Sequence, residues 1–234
     1  MDNVFEYQNI EENKNNYIVD SKNAKIFREL WIITEKIHGV HFAIYYNNGK
    51  ITFSKKNAKI EENEWYYNYQ SIKDKLIDNT NNLHVILREN NFIVYGELFG
   101  GYYPENPNKW NGIRTNNKAI QKSVYYSPNI EYIVFDLAII NINENDLYFF
   151  RYLTMTEILE KTNFNYVKAL ALCKFDKAFN CDINFNSKIP NSLGYQNLKK
   201  GTNIAEGIII RPTIEHTVKN KNNQNVRYLI KRKN

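Results

Sequence analysis

The chain has 234 residues, 43% of them hydrophobic and 24% charged, which is enough to bury a sizeable core. Its net charge of +6 favours a polyanionic partner over a basic one. The polar, acidic N-terminus, the absence of a long apolar run and only two cysteines without metal-ligand spacing argue against a membrane protein, a secreted disulfide scaffold and a cysteine metal site. We therefore expect an intracellular protein, in the cytoplasm or nucleus, with no membrane partner.

The first half of the chain carries two hairpin signals. Residues 42–46 and 51–54 read as strands on either side of "NNGK", in which Asn-Gly is a strong turn signal. Residues 85–87 ("VIL") and 92–99 ("FIVYGELF") flank "RENN" and predict a second hairpin. Both predictions favour antiparallel pairing.

Three stretches have helical patterns. Apolar residues recur with a 3.6-residue period over 62–78, beginning at Trp65, which predicts an amphipathic helix. Thr154 and Glu157 form a capping box, which predicts a helix over residues 155–162. A weaker helical pattern covers residues 168–180.

The second half of the chain adds further strands. Residues 131–140 form a long apolar run, and the strand at 207–212 is stopped by Pro212. Residues 216–218 and 226–233 flank a polar turn and predict a last hairpin. Interspersed strands and helices predict an α+β fold with mainly antiparallel sheets and flanking helices.

Lys36 is the first candidate for chemistry. It follows a short apolar run in "EKIHG", and Gly39 comes three residues later, where it would let the backbone turn sharply. An amine held rigidly at a strand end can act as a nucleophile. A surface lysine at a strand end is the alternative reading of Lys36 alone.

Other charged residues stand inside apolar strands, where an unpaired charge is costly to bury. These residues are Glu97, Asp136 (directly after Phe135), Glu206, Lys231 and Lys233. Each alone could be a structural ion pair. Together they offer carboxylates for a metal or a ribose, an aromatic ring for a base and cations for a phosphate.

The ordered motifs "EKIHG", "YGELFGG", "YIVFDL", "IAEGIIIRP" and "LIKRKN" resemble motifs I, III, IIIa, IV and V of the covalent nucleotidyltransferase superfamily. Their wording is similar to that of the phage-type RNA ligase 2 family, which includes the kinetoplastid RNA-editing ligases. The resemblance implies the adenylyltransferase (ATP-grasp-like nucleotidyltransferase) fold of polynucleotide ligases. It also implies an ATP-dependent RNA ligase that joins RNA 3′-OH and 5′-phosphate ends.

The same resemblance implies a role for each motif residue. Lys36 would attack the α-phosphate of ATP to give lysyl-AMP, and Lys231 and Lys233 would contact that phosphate. His38 would act in the steps after lysine adenylylation, and Asp136 would contribute to activity.

Further roles concern the nucleotide and the metal. Glu97 would hold the ribose, Phe135 would stack on adenine, and Glu206 with Glu97 would bind Mg²⁺ or Mn²⁺. Asn9 and Ile10, in a segment similar to the family's opening segment, are candidates for adenine contact. Glu35, beside the lysine, completes this set of nucleotide-binding candidates.

The sequence departs from the family pattern at two positions. The family usually has asparagine where this chain has His41, and the motif Ia arginine aligns with Lys56. Lysine keeps the charge but loses the planar fork of arginine. Both residues stay candidates for nucleotide contact.

The resemblance leaves other functions open. A DNA nick ligase or a GTP-dependent capping enzyme would share most of the motifs, although the histidine of "EKIHG" argues against both. A catalytically inactive protein that binds RNA ends is a further alternative. We expect residues 1–234 to form one nucleotidyltransferase domain without a C-terminal accessory domain, acting as a monomer on RNA ends or on nicked duplexes that contain RNA.

Overall fold

The computed structural model of the protein describes residues 4–19, 24–104, 118–196 and 198–234. Within these ranges twelve strands form three sheets in which every strand pair is antiparallel. Four α-helices and three short 3₁₀ turns accompany them. The predicted α+β class with mainly antiparallel sheets is therefore confirmed.

The five-stranded sheet has the order β4-β3-β5-β6-β7. Its strands are β3 (Val40–Asn47), β4 (Lys50–Ser54), β5 (Asn91–Gly100), β6 (Ile130–Asn141) and β7 (Asp146–Phe149). The predicted Asn-Gly hairpin joins β3 to β4, and Asn48 and Gly49 both have positive φ angles, of 47° and 85°. Such angles give a turn whose twist matches that of the flanking strands.

The four-stranded sheet has the order β12-β9-β2-β8. Its strands are β2 (Leu30–Glu35), β8 (Ala169–Lys174), β9 (Gly207–Pro212) and β12 (Ile230–Lys233). The central strands β2 and β9 are buried over nearly their full length, whereas β8 is an exposed edge. Residues of the predicted motifs I, IV and V lie on β2, β9 and β12 of this sheet.

The smallest sheet contains β1 (Tyr17–Ile18), β10 (Thr217–Asn220) and β11 (Asn225–Arg227). The predicted last hairpin is confirmed between β10 and β11, but its second strand is not continuous. The chain leaves the small sheet after Arg227 and joins the four-stranded sheet as β12. Tyr228 and Leu229 connect β11 to β12 and are each only 1% exposed. Burial of these two side chains holds the chain where it passes from one sheet to the other.

The first predicted helix is displaced along the chain. Helix α1 spans Lys73–Leu87 after a 3₁₀ turn, and Trp65, expected on its buried face, is 70% exposed. Tyr67 and Asn68 have positive φ angles, which end any helix before residue 69. Residues 85–87 are the last turn of α1, so the predicted strand there was wrong.

The other two helix predictions also need correction. Helix α2 spans Tyr152–Leu159, so Thr154 lies inside the helix and the predicted capping box does not form. Burial of Tyr152, Met155 and Leu159 places this helix on the five-stranded sheet. Over 168–180 the chain forms β8 and then only the short helix α3 (Phe175–Phe179), because pairing with the edge of β2 overrides the weak helical pattern.

The described helices end with α4 (Ile189–Ser192). No helix in the described part of the chain combines the length and the apolar character that a membrane span requires.

Candidate active site

A cavity of about 240 Å³ lies where the N-terminal segment, β2, β3, β5, β6, β9 and β12 meet. Most of the residues singled out in the sequence line it, namely Asn9, Ile10, Glu35, Lys36, His41, Lys56, Glu97, Phe135 and Lys231. His38, Glu206 and Lys233 stand beside it through their contacts with Lys36 or with one another. Asp136 does not line it. The fold therefore gathers motif residues from distant parts of the chain at one place.

Lys36 lies directly after β2 and is held by the motif IV segment. Its backbone N–H donates to the carbonyl oxygen of Gly207 at 3.0 Å, and its Nζ donates to Oε2 of Glu206 at 2.6 Å. Because both contacts are to one dipeptide, the backbone and the side chain of the lysine are fixed together.

Three basic side chains surround Glu206. Besides Lys36, Nδ1 of His38 lies 3.4 Å from Oε2, and Nζ of Lys233 lies 3.3 Å from Oε1. Burial alone would raise the pKa of Glu206, but the hydrogen bond from Lys36 and the surrounding positive charges lower it below its ordinary value. The carboxylate therefore stays ionised at neutral pH.

Two glycines allow these close approaches. A Cβ on Gly39 would overlap the carbonyl oxygen of Leu98, and a Cβ on Gly207 would overlap the carbonyl oxygen of Arg232. The φ angle of Gly39 is not among the positive values, so this glycine is needed for space against β5 rather than for an unusual turn. Gly207 lets β12 lie close to β9.

Glu97 faces the cavity from β5, opposite His41 on β3. Its Oε2 atom is buried and has no hydrogen-bond partner. Burial, partly offset by Lys36 and reinforced by the charge of Glu206, raises the pKa of Glu97 to about 8. A buried acceptor without a partner is suited to a ligand that brings hydroxyl groups or a cation.

His41 and Lys56 occupy the two positions that depart from the family pattern. Burial, with a smaller contribution from Lys56, lowers the pKa of His41 to about 4, so its ring is neutral at physiological pH. The exposed Lys56 donates from Nζ to Oδ1 of Asn9 at 2.7 Å. These contacts tie the N-terminal segment to the rim of the cavity.

Phe135 and Asp136 are neighbours on β6 with different surroundings. The Phe135 ring lies 5.1 Å from the Tyr7 ring and 6.0 Å from the His41 ring, so it forms part of an aromatic wall of the cavity. Asp136 is fully buried and ion-paired with Arg211 at 3.1 Å and with Arg227 at 2.6 Å. Its geometry is that of a buried structural ion pair rather than of a group facing a ligand.

The two lysines of β12 reach different acidic partners. Nζ of Lys231 lies 3.7 Å from the exposed Glu12 carboxylate, whereas Lys233 contacts Glu206. Between them, Arg232 donates to the carbonyl oxygens of Phe179 and Cys181 at 2.6 Å and 2.8 Å. These bonds fix the strand from the side opposite the lysines.

Glu35 lies deeper than its neighbour Lys36. It is 2% exposed, and its Oε2 accepts the backbone N–H of Lys188 at 2.8 Å, whereas Oε1 is buried without a partner. Burial raises its pKa, and the hydrogen bonds to Ser187 and Lys188 only partly offset that effect. Its free oxygen is an acceptor in the cavity wall.

Three residues around the site were not predicted from the sequence. Tyr7 and Arg211 line the cavity, and the Tyr7 hydroxyl donates to Asp136 at 2.6 Å. Arg227 completes the ion pairs below it. Arg211 stands inside an apolar strand, which is the same signal that identified Glu97 and Glu206.

The described residues contain no group of three or more His, Cys, Asp or Glu side chains arranged to hold a metal ion. The pKa of Glu97 is raised partly by Glu206, so the two carboxylates act on one another. Glu97, with one unpartnered oxygen, and Glu206, whose oxygens contact only basic side chains, are the oxygen ligands that a Mg²⁺ or Mn²⁺ ion would take together with phosphate and water.

The fold was compared with solved structures. A Naegleria gruberi RNA ligase with PPi matches with a TM-score of 0.56 and 12% identity, covering 98% of this chain and 56% of that one. A mutant of that ligase with ATP and Mn matches with a TM-score of 0.57, the same identity and the same coverage. The fold is thus that of RNA ligase nucleotidyltransferases.

The sequence comparison identifies the family. The RNA ligase family model matches residues 29–233, so the chain belongs to the RNA ligase family. RNA-editing ligase 1, mitochondrial, of Trypanosoma brucei brucei is 28% identical over 207 residues, covering 77% of this chain and 44% of that protein. RNA-editing ligase 2, mitochondrial, is 27% identical over 234 residues, covering 89% and 55%. The chain thus spans about half the length of these curated relatives.

Proposed function

We propose that this protein is an ATP-dependent RNA ligase that joins RNA 3′-OH and 5′-phosphate ends. It acts through lysyl-AMP on Lys36 and an adenylylated RNA 5′ end. The observation that carries the proposal is the pairing of Lys36 with Glu206 at a cavity in which one buried carboxylate oxygen of Glu97 lacks a partner. The names of the relatives and the ATP, Mn and PPi of the matched structures support it.

In the first step Nζ of Lys36 attacks the α-phosphorus of ATP. A P–N bond forms, the bond from the α-phosphorus to the oxygen bridging to the β-phosphate breaks, and pyrophosphate leaves. The amine must lose its proton to solvent before it attacks; in the free protein it lies 2.6 Å from Oε2 of Glu206, whose lowered pKa makes that carboxylate a weak base. Most of the catalysis comes from positioning and from charge stabilisation.

The second and third steps use the same site. The RNA 5′-phosphate oxygen attacks the adenylate phosphorus and releases Lys36, and then the 3′-OH attacks the 5′-phosphate and releases AMP. His38, whose Nδ1 lies 3.4 Å from Glu206, would act on these phosphates, and that contact supports the role. Lys231 and Lys233 offer positive charge on the same side.

The cavity wall accounts for nucleotide binding. The free carboxylate oxygen of Glu97 accepts a ribose hydroxyl, and Phe135 packs against the base. The free oxygen of Glu35 and the side chains of Asn9 and Ile10 complete the adenine side. Neutral His41 acts as a polar group rather than as a cation.

A divalent metal ion, Mg²⁺ or Mn²⁺, would be held by Glu206 and Glu97. It would supply charge neutralisation at the phosphates. The cations that contact Glu206 in the free protein would then be released toward the nucleotide.

The proposal also specifies the natural substrate. We infer RNA ends, or nicked duplexes containing RNA, from the family and from the net charge of +6. A monomeric, intracellular protein stays a prediction from the sequence.

The test is adduct formation with α-labelled ATP and Mg²⁺ or Mn²⁺. We expect a labelled protein, no label on the Lys36→Ala variant, and normal labelling of Lys174→Ala, which removes an exposed strand-end lysine of the same sheet. Parallel reactions with GTP, and sealing of RNA and DNA nicks, separate this function from capping and DNA ligation. RNA binding without any adduct would instead support an inactive RNA-binding protein.

A further inference from the structure

Tyr126 touches the nucleophile segment and has no part in the steps described above. It lies in the loop between β5 and β6 and is 1% exposed. Its hydroxyl oxygen accepts the backbone N–H of His38 at 2.9 Å. Its ring packs edge-on against Phe99, with centroids 5.1 Å apart, in an apolar cluster that includes Ile37. Tyr126 thus contacts the turn that follows Lys36 through its hydroxyl, and its ring belongs to the same apolar cluster as Ile37.

The loop that carries Tyr126 is fixed to the loop that carries Glu206. Asn203 is 2% exposed, and its side chain accepts the backbone N–H of Tyr125 and donates to the Tyr125 carbonyl, each at 2.8 Å. Asn203 precedes Glu206 by only three residues. One short segment, Tyr125–Tyr126, therefore contacts the backbone two residues after Lys36 and a side chain three residues before Glu206.

The surroundings of Tyr126 keep its hydroxyl neutral. Burial, reinforced by the negative charges of Glu35, Glu206 and Glu97, raises its pKa above the ordinary value for tyrosine. A neutral hydroxyl accepts the His38 amide at all physiological pH values. Replacing it with hydrogen would leave that partly buried amide without its acceptor.

We propose that Tyr126 is a positioning residue for the ligase reaction, and that its hydroxyl holds the turn after Lys36 so that Lys36 and His38 face Glu206. Asn203 braces Tyr126 by fixing the backbone beside it. The inference rests on the proposed function, because it assigns a role within the same site. Tyr126 is not among the residues that line the nucleotide cavity, so its role concerns the rate of lysine adenylylation rather than nucleotide affinity.

The test compares two buried tyrosine hydroxyls. Tyr126→Phe removes the acceptor of the His38 amide, whereas Tyr132→Phe removes a hydroxyl that donates to the Val94 carbonyl at 2.9 Å within the five-stranded sheet. Single-turnover formation of lysyl-AMP is measured against ATP concentration. For Tyr126→Phe we expect the maximal rate to fall by about tenfold to a hundredfold, with an unchanged half-saturating ATP concentration. Tyr132→Phe should keep the wild-type rate.

A second variant tests the same positioning role independently. Asn203→Ala should lower the maximal rate in the same way, and thermal unfolding of each variant shows whether it is folded at the assay temperature. If Tyr126→Phe does not fold, the maximal rate of lysyl-AMP formation by Asn203→Ala tests the proposal instead. A wild-type maximal rate in the folded variant, or a loss seen equally in Tyr132→Phe, would overturn the inference. A wild-type protein that forms no adduct would instead overturn the proposed function.

Discussion

Glu97 has a carboxylate oxygen that is buried and unpaired in the free protein, and its pKa is raised to about 8. The unfolded chain releases this proton near the ordinary pKa of glutamate, about 4.3. Between these values the folded state binds more protons than the unfolded state, so the free energy of unfolding falls as pH rises. Ionisation of Glu97 therefore destabilises the free protein.

We predict that Glu97→Gln stabilises the protein increasingly as pH rises from about 5 to above 8, because glutamine cannot ionise. Thermal unfolding at pH 5.5 and pH 9 measures the effect, with the exposed Glu62→Gln as control. A difference between Glu97→Gln and wild type that does not grow with pH would contradict the prediction.

His41 stands where the family usually has asparagine, and its lowered pKa makes it neutral above about pH 5. We predict that His41→Asn keeps the rate of lysyl-AMP formation at pH 7, since one neutral polar group replaces another. The rates of both proteins are measured between pH 6 and pH 9. A large loss, or an altered pH profile in that range, would show that the imidazole itself is needed.

Which candidate site residues could be predicted from the sequence depended on local patterns. Lys36, Glu97 and Glu206 were predicted because charges in apolar strands are rare and because their motifs resemble a family. The pairing of Lys36 with Glu206, and the contacts of Tyr7 and Arg211 with Asp136, join residues 170, 129 and 75 positions apart, which no local pattern encodes.

At the scale of elements, predictions succeeded where local geometry decides the structure. The Asn48–Gly49 turn was predictable because its positive φ angles favour these residue types. Residues 85–87 were misassigned because a short apolar run reads equally as a strand or as the end of a helix. Strand β8 was missed because pairing with β2, not its own sequence pattern, determines it.

The turn after β2 gives a prediction about close packing. Gly39→Ala would force a Cβ against the Leu98 carbonyl of central strand β5, so we expect a loss of about 1–3 kcal/mol in the free energy of unfolding. We also expect slower lysyl-AMP formation, because Lys36 precedes this turn by three residues.

Gly49→Ala is the control for this substitution. Gly49 has a φ of 85° and no atom within 4 Å of its added Cβ, so that variant should lose stability without slowing adduct formation relative to its folded fraction. Equal effects of the two variants on the adduct rate would argue against a role for the turn.

At the scale of the molecule, one buried ion cluster joins all three sheets. Asp136 belongs to the five-stranded sheet, Arg211 to the four-stranded sheet and Arg227 to the small sheet. Despite burial, the two guanidinium groups lower the pKa of Asp136. The cluster stands behind the cavity and fixes the sheets that form it.

We predict that Asp136→Asn costs about 3–5 kcal/mol, because it removes the fully buried anion between two buried arginines and leaves them only the carboxylate of Glu215. Lys75→Met removes an exposed lysine whose Nζ lies 3.9 Å from the carboxylate of Glu131, a residue of the same strand as Asp136. This substitution should lower the free energy of unfolding by less than about 1 kcal/mol. Denaturant unfolding measures both. If Asp136→Asn cost no more stability than Lys75→Met, the ion cluster would not be needed to hold the three sheets together.

The pH dependence of the same cluster follows from the direction of the shift. A depressed pKa contributes stability above the unfolded value, about pH 4, and this contribution disappears as pH falls through the folded value. The difference in stability between wild type and Asp136→Asn should therefore shrink below about pH 4. A constant difference down to pH 2 would contradict this account.

The central claim is that Lys36 carries the adenylate. The most direct measurement is the intact mass of the protein after incubation with ATP and a divalent metal, followed by peptide mapping. The account predicts a mass increase of one AMP located on Lys36, reversed by pyrophosphate and absent from Lys36→Ala. An adduct that maps to another residue, or that persists in Lys36→Ala, would contradict it.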